Sequence, residues 1–324
     1  MRPFKLSLMV LLAGMLSCTA QKKYELVLNI KDSAPTLDQL DSTVNVLKKR
    51  LQAYDKGSTL INRSPNQQNI TLQTACGDLD FIGNVLVKKG RLVFYECYTI
   101  DDPETVAAIQ NADKDMQQLL KENKPIVPGV NNATFNGENP FLNMIVPTQV
   151  YEDKHAGKKQ YTAYVANIMD SMIPLAKKCM PYLYAHLPEG SKVFFKKTDN
   201  IRIKASEVYI TKPLSSAFDA SNHLAAAKPE VAANNQPAVF LTFDRVGAKI
   251  WERMTARNVG KPLAIVLDNE VMSAPFVHSA IVGGNCEISG VFTFEEVQNM
   301  AKAFSGGSLP LTLSVSSIQL LKNN

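Results

Sequence analysis

Between Val259 and Gly290 the chain reads Val-Gly-Lys-Pro-Leu-Ala-Ile-Val-Leu-Asp-Asn-Glu-Val-Met-Ser-Ala-Pro-Phe-Val and, five residues on, Gly-Gly-Asn-Cys-Glu-Ile-Ser-Gly. Ala264 to Leu267 is a short apolar run rich in β-branched side chains, ended by Asp268-Asn269. Val271 to Ala274 resumes the apolar course until Pro275 stops it. Asp and Asn tolerate the positive φ of a two-residue hairpin turn, so the pair of runs predicts a tight β-hairpin. Gly283-Gly284 and Gly290 mark bends where a side chain would be in the way.

Elsewhere the chain alternates strand and helix signals. Tyr24 to Ile30 has strand character, and Thr36-Leu-Asp-Gln39 is a capping-box pattern. It opens a helix with Leu37, Leu40, Val44, Leu47 and Leu51 at helical spacing, and Lys48-Lys49-Arg50 in its last turns reads as a solvated, dipole-complementing end. Ser58 to Arg63 and Asn69 to Thr74 read as a hairpin, Leu79 to Lys89 as a helix stopped by Gly90, and Arg91 to Thr99 as a strand. The order β-α-β-β-α-β is the ferredoxin-like pattern.

Asp102 to Glu122 reads as a polar helix, Asn123 to Gln160 as a long Asn-, Pro- and Gly-rich loop, and Val165 to His186 as helix broken near Pro174 and Pro181. Val193 to Phe195 follows as a strand. A second unit is expected from Ala205, with strands at Glu207 to Thr211 and Ala238 to Phe243. Asp244 caps a helix with Val246, Ile250 and Met254 on one face, Trp251 as a core anchor beside them, and Lys249, Arg253 and Arg257 solvated, contact with lipid headgroups being the alternative. Thr293-Phe-Glu-Glu296 is another capping box, opening a helix with Val297, Met300, Ala301 and Phe304 along one stripe. Gly306-Gly307 closes it before a strand at Leu309 to Val315.

The 324 residues carry a net charge of +5, which falls to about +3 once Arg2 and Lys5 leave with a leader. No basic patch is interleaved with aromatics, so nucleic acid is not an expected partner. Arg2 and Lys5 precede the apolar run Leu6 to Leu16 and then Ser17-Cys18, the pattern of a secretory signal too short to span roughly 30 Å of hydrocarbon. Met15-Leu-Ser-Cys18 resembles a bacterial lipobox apart from its leading Met, so cleavage before Cys18 and lipid attachment to its sulfur are expected. The alternative is an ordinary secretory signal with an incidental cysteine. No later segment approaches about 18 consecutive apolar residues. Cys76, Cys97, Cys179 and Cys286 form no C-x-x-C pair, and buried free thiols are expected although an oxidising compartment permits a bridge.

Gly260 to Pro275, Gly283-Gly284 and Ile288-Ser-Gly-Val-Phe-Thr-Phe-Glu-Glu296 together resemble the large first periplasmic domain of SecD, the accessory subunit of the Sec protein-export channel. Leu241-Thr-Phe-Asp-Arg-Val-Gly-Ala-Lys-Ile-Trp251, Leu47-Lys-Lys-Arg-Leu51 and Gly90-Arg-Leu-Val-Phe-Tyr-Glu96 resemble other places in that domain. Residues 101–204 are weakly similar to the enlarged insertion of some fused SecD–SecF chains.

The resemblance implies an α+β fold with a split ferredoxin-like base, assembled from both ends of the chain, and an inserted α+β head. The expected divisions are a signal peptide at 1–17, the base at 18–100, a helical and Asn/Pro-rich insertion at 101–204, the head at 205–290 and a return to the base at 291–318. It also implies contact with emerging secretory polypeptide or with Sec translocon components, for a protein held on a membrane by its N-terminal lipid and facing the periplasm. Proton-coupled movement needs an ionisable group in the membrane field, and the chain offers no segment to carry one. A structural envelope lipoprotein that keeps the head fold without a role in export is the alternative.

Chemistry is sparse. His155, His186, His223 and His278 are scattered without metal-site spacing, and the Gly283 to Gly290 segment lacks a phosphate-loop ending. Glu295-Glu296 is explained by helix capping. Cys286 and His278 have nothing to activate the thiol or orient the ring. No catalytic residue, cofactor or metal ligand is expected. Phe276 and Val277, just after the Pro275 break, are candidates for a partner surface, with burial in the head equally natural.

Overall fold

A computed structural model of the chain describes residues 22–54, 60–63, 68–135, 138–153, 158–198 and 202–321. In chain order it begins with β1 (Lys23–Ile30), α1 (Leu37–Tyr54), β2 (Leu60–Arg63), β3 (Asn69–Thr74), α2 (Leu79–Phe81) continued by a π-helical turn at Ile82–Leu86, and β4 (Leu92–Glu96). Then come α3 (Pro103–Lys121), β5 (Val146–Pro147), β6 (Tyr151–Asp153), β7 (Lys158–Gln160), β8 (Ala166–Met169), α4 (Ile173–Tyr184), β9 (Lys192–Lys197) and β10 (Ala205–Thr211). The rest is β11 (Phe218–Asp219), β12 (Leu224–Val231), β13 (Pro237–Phe243), α5 (Arg245–Arg257), β14 (Leu263–Leu267), β15 (Glu270–Ser273), β16 (Asn285–Ser289), α6 (Phe294–Gly306) and β17 (Leu313–Leu321).

The base is a four-stranded antiparallel sheet in the order β17-β1-β3-β2. Leu26, Leu28, Ile70 and Leu72 point from it onto Leu40, Leu47 and Leu51 of α1. Thr36 caps α1 as read, its hydroxyl accepting from Gln39 N at 3.2 Å while Gln39 Oε1 accepts from Thr36 N at 2.9 Å. The fourth strand is not the one the local pattern suggests. β4 leaves the base altogether, and its place is filled by β17, with α6 packed beside α1 as the second helix. The βαββαβ order therefore holds only when the two ends of the chain are read together. β17 also lies later than the alternation at Leu309 to Val315 suggests, because Leu309 and Leu311 are buried connectors before the strand begins.

β4 joins a central sheet of order β11-β4-β14-β15. One face of that sheet, with Leu92, Phe94, Leu263 and Ile265, packs on Val239, Leu241 and Phe243 of the β12-β13-β16 sheet and on Trp251, Met254, Met300 and Phe304 of α5 and α6. Its other face, with Val93, Tyr95, Ala264 and Val266, meets Phe194 and Tyr209 of a third sheet, β5-β8-β10-β9. Being covered on both sides is why Leu92 to Glu96 is buried at every position rather than at alternate ones.

Further readings change as well. Val165 to His186 starts as β8, and Pro174 lies in the first turn of α4, where its missing N–H costs nothing. Asn123 to Gln160 is not an open loop throughout: Ile126, Val127, Phe135, Phe141 and Met144 enter the core around α3 and α4. Buried Asp113 holds this stretch by accepting from Phe141 N at 2.6 Å and Leu142 N at 3.2 Å. Ala205 to Thr211 is a strand as expected, and it pairs with β8 and β9 in the third sheet. On α5, Val246 is exposed and the buried face runs through Gly247, Trp251, Met254 and Thr255.

Among the described residues no helix is long and apolar enough to cross a membrane. Cys76, Cys97, Cys179 and Cys286 are buried and unbridged.

Candidate functional site

Asp268 and Asn269 adopt φ of 51° and 69°, the left-handed pair a tight hairpin turn demands. The turn also has a task that its spacing does not announce. Asp268 accepts from Gly90 N at 3.0 Å and Arg91 N at 2.7 Å, so the hairpin tip grips the point where the chain passes from base to head. Arg91 Nε in turn donates to Asp219 at 2.8 Å. From the base side Arg50 reaches the same crossing. Its terminal nitrogens donate to the carbonyls of Val85 at 2.7 Å, Leu86 at 3.0 Å, Lys89 at 3.3 Å and Gly307 at 2.6 Å, and to that of Lys88. The solvated helix end expected at Lys48-Lys49-Arg50 is thus wrong for Arg50, which is fully buried.

Beside this clamp lies a cleft of about 830 Å³ where base, central sheet and third sheet meet. Its walls are β15 on one side, Lys196 and Lys197 of β9 on another, and the Val291-Phe292 segment leading into α6. Among the described residues β15 pairs with β14 alone and β9 with β10 alone, and the two edge strands lie near each other across the cleft. Val291 is 76% exposed at the rim. Lys88, Lys196 and Lys197 supply positive charge, and Glu270, Glu295 and Glu296 negative charge. Inside, Tyr209 donates its hydroxyl to Glu207 at 2.6 Å, and burial followed by that carboxylate pushes the phenol pKa up. The cleft can take an extended segment with apolar contact and strand-edge hydrogen bonds.

Phe276 and Val277 are not part of it. Val277 is only 7% exposed and belongs to the head core, exchanging backbone hydrogen bonds with Gly260 and Lys261. Phe276 is half-buried, its ring 5.8 Å from that of Tyr161. Of the two readings given for this pair, burial in the head describes Val277, while Phe276 packs beside Tyr161. Cys18 and His155 lie outside the described residues.

His186 pairs with Asp115 at 2.7 Å, and His223 with the cap residue Asp244 at 3.2 Å. His278 is exposed. Among the described residues no group of three or more His, Cys, Asp or Glu side chains could hold a metal ion. Burial raises the pKa of Cys97 and Cys286 to about 12 and that of Cys179 to about 11, so these thiols are unreactive at neutral pH. Glu295 and Glu296 do what their position suggests. Thr293 Oγ1 accepts from Glu296 N at 3.2 Å, and Glu296 Oε2 accepts from Thr293 N at 2.8 Å.

One ion-pair cluster ties head to third sheet. Glu96 accepts from Arg257 at 2.6 Å and faces Lys212 at 3.4 Å. Burial alone would raise the Glu96 pKa, but the Arg257 hydrogen bond and charge, Asn258 and Lys212 outweigh it and hold the carboxyl low. Its stabilisation is present above the ordinary glutamate pKa and lost as pH falls through the lowered folded value. Glu96→Gln is expected to cost roughly 1–2 kcal/mol at neutral pH, Arg257 being half exposed. Urea titrations on both proteins should show this gap narrow as pH drops below about 4.3, and a gap independent of pH would refute the assignment.

Comparison with known proteins finds a match to the SecDF P1 head subdomain over residues 202–311. The chain is 37% identical over 131 residues to the protein translocase subunit SecD of Calditerrivibrio nitroreducens, covering 40% of this chain and 25% of that protein. It is 44% identical over 93 residues to SecD of Rickettsia prowazekii, 29% of this chain and 18% of that one. The chain thus spans about a quarter or less of the length of these curated relatives. A solved SecDF structure, described as a membrane component that enhances protein export, matches with a TM-score of 0.52 and 24% identity over 92% of this chain and 100% of that chain. SecDF in a super-membrane-facing form matches with a TM-score of 0.54 and 24% identity over 93% of this chain and 30% of that one. Both show likeness of fold, which extends well outside the matched head.

Proposed function

Because residues 202–311 are a SecDF P1 head subdomain set in a chain with the fold of the SecD periplasmic region, we propose that this protein is a non-enzymatic accessory of protein export. It is tethered through acylated Cys18, faces the periplasm, and contacts translocating polypeptide or Sec translocon components. It has no proton-coupled activity of its own. The observation that carries the reading is the unpaired edge of β15 bordering an 830 Å³ cleft with the exposed Val291 at its rim. An emerging secretory chain is extended and exposes apolar side chains, and a free strand edge beside apolar surface captures such a segment by strand addition. Shallow capture also suits release without an energy source, since an open cleft leaves the bound segment partly hydrated.

The test is photocrosslinking in living cells from Val291, with Val146 of β5, 67% exposed at the edge of the third sheet opposite β9, as control. Secretory chains in transit should attach at Val291 several-fold more than at Val146, and Val291→Asp should reduce co-purification of such chains. Attachment only to resident envelope proteins would instead favour the structural lipoprotein without a role in export.

A further inference from the structure

The chain enters the fold at one end of the base, and several side chains collect there that no core absorbs. Leu79 is 66% exposed, Leu320 56% and Tyr54 39%. They form one rim. Leu320 lies opposite Tyr24 across the β1–β17 pair, and the Tyr24 ring lies against Gly77, where a Cβ would meet it at 2.3 Å. Asp78 follows, accepting the Tyr54 hydroxyl at 3.2 Å and capping the turn that carries Leu79. The Tyr54 ring is 4.3 Å from that of Phe81. Lys22 and Lys23, both exposed, lie at the start of β1, and Asp78 and Asp80, also exposed, flank Leu79.

The geometry points to this rim as a footing on the lipid bilayer: Leu79 and Leu320 enter the interface, Tyr54 lies at headgroup level, and Lys22 and Lys23 meet lipid phosphates. It rests on the proposed acylation of Cys18. From that residue to Lys23 is five chain positions, a reach of at most about 18 Å. The lipid therefore holds the base within that distance, on the side where the strand begins. Two leucines, a tyrosine and two lysines are the residue types that partition to a membrane interface. A single acyl signal is strengthened by a second, weaker contact. Free translation of the base on its tether would leave those leucines in water; seating them orients the molecule and fixes the height of the cleft above the bilayer.

The test uses the acylated full chain, purified from membranes and placed in phosphatidylcholine–phosphatidylglycerol vesicles containing spin-labelled lipid. An environment-sensitive probe is attached to Leu79→Cys, Leu320→Cys or Val146→Cys, the native thiols other than Cys18 being buried. Quenching at positions 79 and 320 is expected to exceed that at 146 by roughly twofold or more, and to weaken in pure phosphatidylcholine. The double variant Leu79→Glu/Leu320→Glu, with the probe at Lys23→Cys, should lose most of its quenching while remaining folded by circular dichroism. Acylated protein with equal quenching at all three positions would overturn the footing and leave the anchor intact. A chain found unacylated by mass spectrometry would overturn both.

Discussion

Arg50→Ala is expected to lower the unfolding free energy by roughly 3–5 kcal/mol, enough to leave a typical domain marginal. Arg50 is fully buried, and its guanidinium satisfies carbonyls at Val85, Leu86, Lys88, Lys89 and Gly307. Most of those groups lie at the ends of the π-helical turn and of α6, where helix carbonyls lack intrahelical partners. Alanine would strand the buried carbonyls of Val85 and Leu86, while that of Lys89 keeps its bond from Leu309 N at 2.7 Å, and each buried unpaired polar group costs about 1–3 kcal/mol. Burial pulls the guanidinium pKa down to about 10, so the group stays cationic at neutral pH. Arg50→Lys should recover little, because one ammonium with three donors cannot span acceptors on two chain segments. Urea unfolding followed by circular dichroism decides it, and a loss under about 1 kcal/mol for Arg50→Ala would mean the carbonyls find other partners.

Phe94→Ala should be comparably severe, at roughly 3–5 kcal/mol. Phe94 is fully buried, with Phe218 stacked at 5.9 Å, Phe243 edge-on at 5.9 Å and Trp251 at 4.6 Å. What makes the variant informative is where the damage falls. If β4 belonged to the base sheet, hydrogen exchange would rise first in β1 and β3. The observed pairing predicts the opposite, with protection lost in β13, β14 and α5 while β1 and β3 keep theirs. Exchange measured by mass spectrometry on the native and variant chains separates these outcomes.

Much of the local structure is legible in the residues. The Asp268-Asn269 turn, the Thr36 and Thr293 capping boxes, the Asp244 cap and the stripe Val297, Met300, Ala301, Phe304 all stand where spacing puts them. Each depends on contacts within a few positions, which a linear pattern encodes. The candidate site is less legible. Phe276 and Val277 follow a break, and a break says that the chain turns without saying to which side. The cleft is invisible in sequence because its walls come from residues as far apart as Lys88 and Met300. Residue types alone mark Val291 only as one more valine.

The chain's own pattern therefore determined which segments become helices and strands, and motif resemblance identified the head. Tertiary structure alone decided three things: that β4 deserts the base for the central sheet, that Arg50 goes inside, and that two open strand edges face a common cleft. The physical reason is the same in each case. A strand with both faces apolar satisfies any sheet that covers it, and a charged side chain at a helix end is as content with water as with carbonyls. Which partner it receives depends on where segments far off in the sequence come to rest, from Val85 to Gly307 in the case of Arg50.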